Sequence, residues 1–386
     1  MAPPYNPAMR YRKFGRLEYQ ASVLGFGTMR LPVLDGDSSK VNEDETVAMI
    51  RYAIDRGVNY VDSAYGYHGG HSEVATGKAL ADGYRRRVRI ATKLPTWAVE
   101  SPGDLDRYLD EQLRRLGTDT IDFYLLHCLN NERWEKLLGF KVLSWAEQMI
   151  ARGRIGGLGF SCHEDLPDFR RYLDEYDGWV MCQIQFNYLD RENQAGTRGL
   201  EYASAKGLPV VVMEPLRGGT LAAEPPPPVR EVWDSAPVRR APADWALQWV
   251  WNHPQVTVVL SGMKTLSQVE ENLASAERSA AGSLGPRELA LCDRAAEAWR
   301  KVYPVPCTAC EYCTPCPNGV SIPRIFAIYN ESTLYADPGV PRYIYSKLRP
   351  AERADQCAEC GQCEEHCPQK IKVPQALALA HGRLKG

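Results

Sequence analysis

The sequence has no apolar run long enough to cross a membrane. Its longest, residues 210–213 and 256–260, fall far short of the roughly 20 residues a bilayer demands and suit buried strands instead. Nor is there an excess of charge. The 46 basic and 48 acidic side chains leave a formal −2, which gives no electrostatic case for nucleic acid or an anionic lipid surface. The opening stretch, Met1-Ala-Pro-Pro-Tyr-Asn-Pro-Ala-Met-Arg10, holds no apolar core of a secretory signal, so the expected compartment is the reducing cytoplasm. No Gly-x-Gly-x-x-Gly follows the first candidate strand, which argues against an open dinucleotide-binding sheet.

What the chain does have is cysteine in a pattern. Eight of twelve lie in two runs, Cys307-x2-Cys310-x2-Cys313-x2-Cys316-Pro317 and Cys357-x2-Cys360-x2-Cys363-x3-Cys367-Pro368. A thiolate every third residue, closed by Cys-Pro, wraps a loop around a compact inorganic cluster. The second run has the bacterial ferredoxin spacing, in which the fourth cysteine ligates the other cluster; the first is one residue shorter before its last cysteine. The spacing predicts two [4Fe–4S] clusters, one on Cys307, Cys310, Cys313 and Cys367, the other on Cys357, Cys360, Cys363 and Cys316. Zinc needs four ligands, commonly two separated Cys-x2-Cys pairs, and has no use for a third and fourth cysteine in one loop. Structural disulfides do not suit a reducing compartment.

Ahead of the cysteines, a short β-branched run, a polar or glycine-rich joint and an amphipathic helical segment recur. The runs are 23–27, 58–62, 88–93, 121–127, 156–161, 179–185, 208–213 and 256–261, with helical period over 43–56, 105–116, 138–152 and 241–252. Alternation of this kind gives right-handed parallel units, and eight of them predict an α/β fold, a closed (β/α)8 TIM barrel. Residues 11–22 are expected to form a hairpin across its floor. The joints 128–139 and 217–240 are long, the latter stiffened by the prolines at 225–228, and are expected to shape the pocket together with Trp134. A last helix, 286–301, runs into the proline-rich 302–306. The division is therefore a barrel over 1–301 and a small α-helical and loop, ferredoxin-like iron–sulfur domain over 302–386, with helices near 322–331 and 374–384.

Polar residues end three successive strands: Asp62, Lys93 and His127, with Tyr67 five residues past Asp62. One such residue alone is a solvated or paired side chain; four on adjacent strands make one site. A phenol near pKa 10 is a sluggish proton donor at neutral pH, and the Lys93 ammonium is expected to draw it down toward the working range. Asp62 holds that ammonium, and His127 donates to a substrate carbonyl as it becomes an alkoxide.

At these residues the chain, over about 10–300, resembles the aldo/keto reductase family. The resemblance rests on Gly25-Phe-Gly-Thr28, Asp62-Ser-Ala-Tyr-Gly-Tyr67, Ala91-Thr-Lys93, Leu125-Leu-His127, Gly159-Phe-Ser161, Gln183, Glu214-Pro-Leu216 and Glu271-Asn272. It implies a barrel holding an extended nicotinamide cofactor, NADP(H) or NAD(H), with Tyr67 as acid/base and Asp62, Lys93 and His127 completing a tetrad. By the same resemblance Gly27, Thr28, Met29 and Asp62 approach the nicotinamide, and Ser161, Cys162 and Gln183 its carboxamide. Glu214, Leu216, Ser261, Gly262 and Met263 line the diphosphate and ribose, while Gln268, Glu271 and Asn272 face the adenine end. Family members usually stack an aromatic ring where this chain has Met213, which leaves room for a flavin. Where basic residues grip a 2′-phosphate in the family, this chain has Gly262 and Gln268, with Lys264 the nearby cation. With its cysteine tail the whole chain looks like the subgroup carrying a ferredoxin-like C-terminus.

The expected protein is therefore an oxidoreductase that interconverts a small carbonyl and alcohol, with iron–sulfur clusters relaying electrons to a ferredoxin- or flavodoxin-type partner. The alternative is an electron-transfer or redox-sensing protein whose barrel binds a ligand or flavin without nicotinamide turnover.

Overall fold

Valine, isoleucine, leucine and phenylalanine crowd the eight apolar runs. In the computed structural model, which describes residues 8–334 and 337–385, each run becomes a strand. The strands in order are β1 (Tyr11–Lys13), β2 (Gln20–Ser22), β3 (Leu24–Gly27), β4 (Tyr60–Asp62), β5 (Arg89–Leu94), β6 (Phe123–Leu129), β7 (Leu158–Cys162), β8 (Met181–Gln185), β9 (Val210–Met213) and β10 (Val256–Gly262). Strands β3 to β10 close into a barrel, every pair parallel, with β10 beside both β9 and β3. The carboxyl ends of all eight therefore share one rim, and side chains there converge.

The hairpin β1–β2 is antiparallel and does close the floor. Phe14, at its turn, has no exposed surface and stacks on Phe123 at 4.7 Å and on Tyr60 at 6.1 Å. Both partners begin their strands, so the ring plugs the amino-terminal end of the barrel. Arg12 pins the hairpin by donating to the carbonyls of Trp251, His253 and Val256. Phe14→Ala is expected to cost about 3–5 kcal/mol, the range for deleting a core ring whose cavity cannot collapse, read as a lowered urea midpoint. A loss under 1 kcal/mol would show that the hairpin is a surface ornament.

Four sequence expectations need correction. Residues 131–139 are a helix (Asn131–Gly139) rather than a loop, because the Asn130 carboxamide accepts from the Arg133 backbone N–H and starts it. The single helix expected over 138–152 is two, since Lys141 takes a left-handed φ of 58° before the helix Val142–Ala151 begins. Helix Pro227–Asp234 lies within the second long joint. The prolines initiate it, their missing N–H groups falling where the first turn has no acceptor anyway. Trp134 does not wall a pocket. It is fully buried between Tyr172 and Trp179 and donates to Glu175.

The chain forms two compact units, Met1–Pro215 with Ala246–Gly285, and Leu216–Trp245 with Pro286–Gly386. This grouping puts helices Pro227–Asp234 and Pro286–Val302 with the cysteine tail, where a division at 302 leaves them with the barrel. Within the second unit, helices Ile322–Ser332, Gly339–Ser346 and Val373–Leu384 surround a core of Ile325, Phe326, Tyr345, Leu348 and Leu377. Among the described residues no helix is long and apolar enough to cross a membrane.

Candidate active site and iron–sulfur site

The carboxyl ends of β4, β5 and β6 bring Asp62, Lys93 and His127 to the barrel rim, and the turn after β4 returns Tyr67 to them. Lys93 is 1% exposed and has three N–H donors. One goes to Asp62 Oδ1 at 2.5 Å and one to the Ser63 carbonyl at 2.7 Å. The ammonium lies 5.0 Å from the Tyr67 ring centre, where its charge favours the phenolate. Asp62 is fixed from its other oxygen by the Gln183 amide at 3.1 Å. Burial works to lower Lys93, but Asp62 and Tyr67 more than offset it, so the ammonium is held above its ordinary value.

Tyr67 itself departs from expectation. Burial pushes the phenol up to about 12, and Lys93 opposes this without overcoming it. The desolvation of a phenolate in this rim is simply larger than the attraction of one ammonium already shared with a carboxylate. His127 goes the other way. Burial first, then Lys93, His163 and Arg133, hold it well below the usual imidazole range. It is a neutral ring, edge-on to Tyr67 at 5.9 Å.

Local backbone explains how these side chains meet. The β6–β7 register shifts between Leu126 and Leu129, and Cys128 adopts a left-handed φ of 50° with its N–H held by Ser161 Oγ at 3.0 Å. Such a bulge re-aims the side chain beside it, here His127. The Tyr67 turn runs through three left-handed residues, His68, Gly69 and Gly70. Gly70 is required there, because a Cβ would stand 2.9 Å from Arg115 Nη1. Arg115 uses that nitrogen to hold the Tyr65 carbonyl and Glu73, whose carboxylate also accepts from Thr92 and Gln112. His68 fastens the 31–38 segment by accepting from the Leu31 N–H and contacting the Ser38 carbonyl.

The residues the resemblance assigns to a cofactor fall along the same rim. Gly27 pairs with Asp62 and Gly262 across β4 and β10, with Thr28 and Met29 just beyond. Ser161 and Cys162 end β7, Gln183 lies within β8, Met213 ends β9 and Glu214 follows it. Ser261 and Gly262 end β10, with Met263 next. On the helix Leu266–Glu277, Asn272 donates to Ser261 Oγ at 3.0 Å. Gln268 is occupied with the Lys264 N–H, and Glu271 with Ser267. Leu216 belongs to the second compact unit. The set fits an amide-bearing nicotinamide in one respect that is local to this chain. Gln183 Oε1 is buried with no hydrogen-bond partner among the described residues, an acceptor suited to a carboxamide N–H.

Two residues escaped the sequence. Trp97, 45% exposed, stands 5.2 Å from the His127 ring, and Arg133 lies over its other reach at 5.9 Å while donating to the Cys128 carbonyl. A tryptophan four positions past Lys93, in a loop after a barrel strand, was the available signal. Arg30 lies against Gly262, where an added Cβ would meet its stem at 3.1 Å. Lys264 is thus not the one cation at the end of β10.

In the tail, thiols of the two runs lie close enough to raise one another's pKa. Burial pushes Cys313 up to about 12, and Cys307, Cys367 and Cys363 add to it. Burial pushes Cys363 up to about 11, with Cys357 and Cys316 adding. Cys310 is half-buried and Cys360 exposed, and all twelve cysteines are free of disulfides. Among the described residues no three His, Cys, Asp or Glu side chains converge as a single-ion site would need. A cubane instead takes one thiolate at each of four separate corners, which suits sets drawn from two loops.

Comparison with known proteins gives the same two parts. Residues 23–282 match the aldo/keto reductase family, and residues 306–371 a 4Fe-4S dicluster domain. A methylglyoxal reductase of Escherichia coli (strain K12) is 28% identical over 297 residues, 72% of this chain and 94% of that one. L-galactose dehydrogenase of Arabidopsis thaliana is 27% identical over 284 residues, 68% and 87%. An aldo-keto reductase from Bacillus halodurans in its holo form superposes with a TM-score of 0.63 at 26% identity, covering 75% of this chain and 97% of that one. One from Klebsiella pneumoniae in complex with NADPH gives 0.60 at 25%, covering 74% and 94%.

Proposed function

The chain belongs to the aldo/keto reductase family and is an oxidoreductase with a 4Fe-4S domain, and from that premise we propose that it reduces a small carbonyl with Tyr67 as the proton donor. The reading is carried by one observation: a buried ammonium, Lys93, bound to Asp62 and 5.0 Å from the Tyr67 ring, with a neutral imidazole edge-on to the phenol. When bound, a nicotinamide supplies the hydride and iron–sulfur clusters carry single electrons.

The residues divide the remaining work. His127, neutral at working pH, donates its N–H to the substrate oxygen and favours the developing alkoxide. Tyr67 then gives up its proton. A donor near 12 is still far more acidic than an aliphatic alcohol, so proton transfer to the alkoxide runs downhill. Lys93 receives the resulting phenolate, and Asp62 keeps Lys93 in place. Gln183, holding Asp62 by its amide nitrogen, offers its oxygen to the carboxamide. Trp97 walls the substrate side, and Arg30 with Lys264 meets the phosphates, which favours NADP(H) over NAD(H). The substrate class is that of the relatives, an α-oxoaldehyde or a sugar.

Residues 1–301 carry this chemistry and 302–386 the clusters. We assign two [4Fe–4S] centres to the mixed thiol sets, passing electrons to or from a partner protein. A nicotinamide moves electrons in pairs and a cluster singly, so a flavin or a substrate radical must join the two halves wherever they share a reaction.

The pH dependence tests the donor. With Tyr67 near 12 and His127 well below its usual range, both are in their working forms from pH 6 to 9. Carbonyl reduction is expected to be flat there, whereas alcohol oxidation, which needs the phenolate, should climb about tenfold per unit. A limb near 6.5 in reduction would instead make His127 the titrating group.

A further inference from the structure

The three most exposed large hydrophobic side chains among the described residues lie in the iron–sulfur unit. They are Val340 at 66%, Leu379 at 64% and Tyr343 at 63%. Val340 and Tyr343 stand three residues apart on the helix Gly339–Ser346, one face of it, while Pro341 and Tyr345 are buried on the other. Leu379 lies on the helix Val373–Leu384, against which the first helix packs. Arg342, between the two exposed residues, donates to the Arg383 carbonyl one turn beyond Leu379, and Tyr345 contacts His381. The two helices thus present apolar surface side by side, held by polar ties beneath it. Solvent-facing apolar surface of this kind marks an interaction site.

Charge says what kind. The segments 337–349 and 372–385 hold six cations, Arg342, Lys347, Arg349, Lys372, Arg383 and Lys385, against one acid, Asp337. The cysteine runs are the reverse, with five acids across 307–316 and 355–367 and no lysine or arginine. Thiolate-bound clusters add further negative charge there. The two helices that bear the apolar patch are thus net positive, with Arg342, Arg349 and Lys372 paired to Asp337, Glu352 and Glu364 and, among the described residues, Lys347 and Lys385 in no such ion pair. The patch also lies close to the iron–sulfur ligands. Tyr345 Oη accepts the Ala354 N–H at 3.0 Å, and residues 354–356, which lead directly into Cys357, pack on the helix Val373–Leu384.

We propose that this face docks a small acidic protein that carries one electron at a time. The inference rests on the reading that the clusters relay electrons. Acidic residues of the carrier would meet the six cations, steering approach, and its apolar centre would cover Val340, Tyr343 and Leu379. The transfer balances with no proton moved: the anionic flavin hydroquinone would give up one electron to become the neutral semiquinone, and a cluster in the 2+ state would take it up.

The probe is a flavodoxin, an acidic carrier of flavin mononucleotide, used with the full-length protein loaded with iron and sulfide. Titration calorimetry at 50 and 300 mM salt reads binding; stopped-flow absorbance of the semiquinone reads transfer. The triple change V340S/Y343S/L379S and the pair K347E/K385E touch no residue of the barrel site and replace only exposed side chains, so folding and NADPH turnover should hold. Each is expected to weaken binding at least tenfold and to slow semiquinone formation in proportion, with native binding falling steeply as salt rises. Semiquinone formation at the native rate in both variants would overturn the docking face while leaving the relay intact. If the native clusters take no electron from the carrier, although dithionite reduces them, the relay reading fails first. Binding of native protein, lost in V340S/Y343S/L379S, to vesicles of phosphatidylserine but not to flavodoxin would make the face a membrane contact and refute the proposal. A concentration-dependent dimer by ultracentrifugation, abolished by the same variant, would refute it in favour of a second copy.

Discussion

Tyr67→Phe is expected to lower carbonyl reduction by about 10²–10⁴-fold, the usual contribution of a placed general acid, while leaving nicotinamide affinity unchanged. The substitution is close to isosteric, so the ring keeps its edge contact with His127. Only the hydroxyl goes, and Lys93 retains Asp62 and the Ser63 carbonyl. Removing the ammonium instead would be a poorer probe. Lys93 and Asp62 are both almost wholly buried, and stripping one charge from such a pair typically costs about 3–5 kcal/mol of stability, which would confuse folding with chemistry. Anaerobic steady-state rates alongside a fluorescence titration of cofactor separate the two effects. Turnover at the native level would take the phenol out of the reaction and return the barrel to a ligand-binding role.

Cys367→Ser is expected to halve the iron, from about eight atoms per chain to about four. The informative part is which thiols are released. Cys367 crowds Cys313 together with Cys307, so the first run should become open to alkylation while Cys357 and Cys360 stay protected. Cys316→Ser should do the reverse, since Cys316 stands with Cys363 and Cys357. Iron content by colorimetry and mass spectrometry of alkylated peptides give the answer. Labelling of the substituted residue's own run in each case would mean that each loop closes its own cluster.

The barrel was readable because eight buried parallel strands must be apolar throughout, and runs such as Val210–Met213 have no other stable use. That Asp62, Lys93 and His127 share the rim was readable because they interrupt those runs at their carboxyl ends. What stayed hidden depends on backbone angles and on desolvation. Nothing in the residues 126–129 announces the bulge or the left-handed Cys128 that aims His127. At the helix break the glycine, Gly139, lies in the last turn, while the left-handed residue is Lys141, a type that does not announce such a φ. The phenol's acidity was misjudged in sign because a sequence lists the charges near Tyr67 but not the water excluded from it. Arg30 reaches Gly262 only because β3 and β10 are neighbours, although the chain separates them by more than two hundred residues.

The interleaving of the two thiol sets also bears on how the protein matures. With two clusters placed as proposed, Cys367 serving the first run and Cys316 the second, neither would be finished until the later run has emerged from the ribosome. The barrel strands, all complete by Gly262, are free to fold long before that. Metal insertion is then a closing event on a preassembled enzyme, and cells starved of iron should accumulate a folded barrel bearing an unfinished tail.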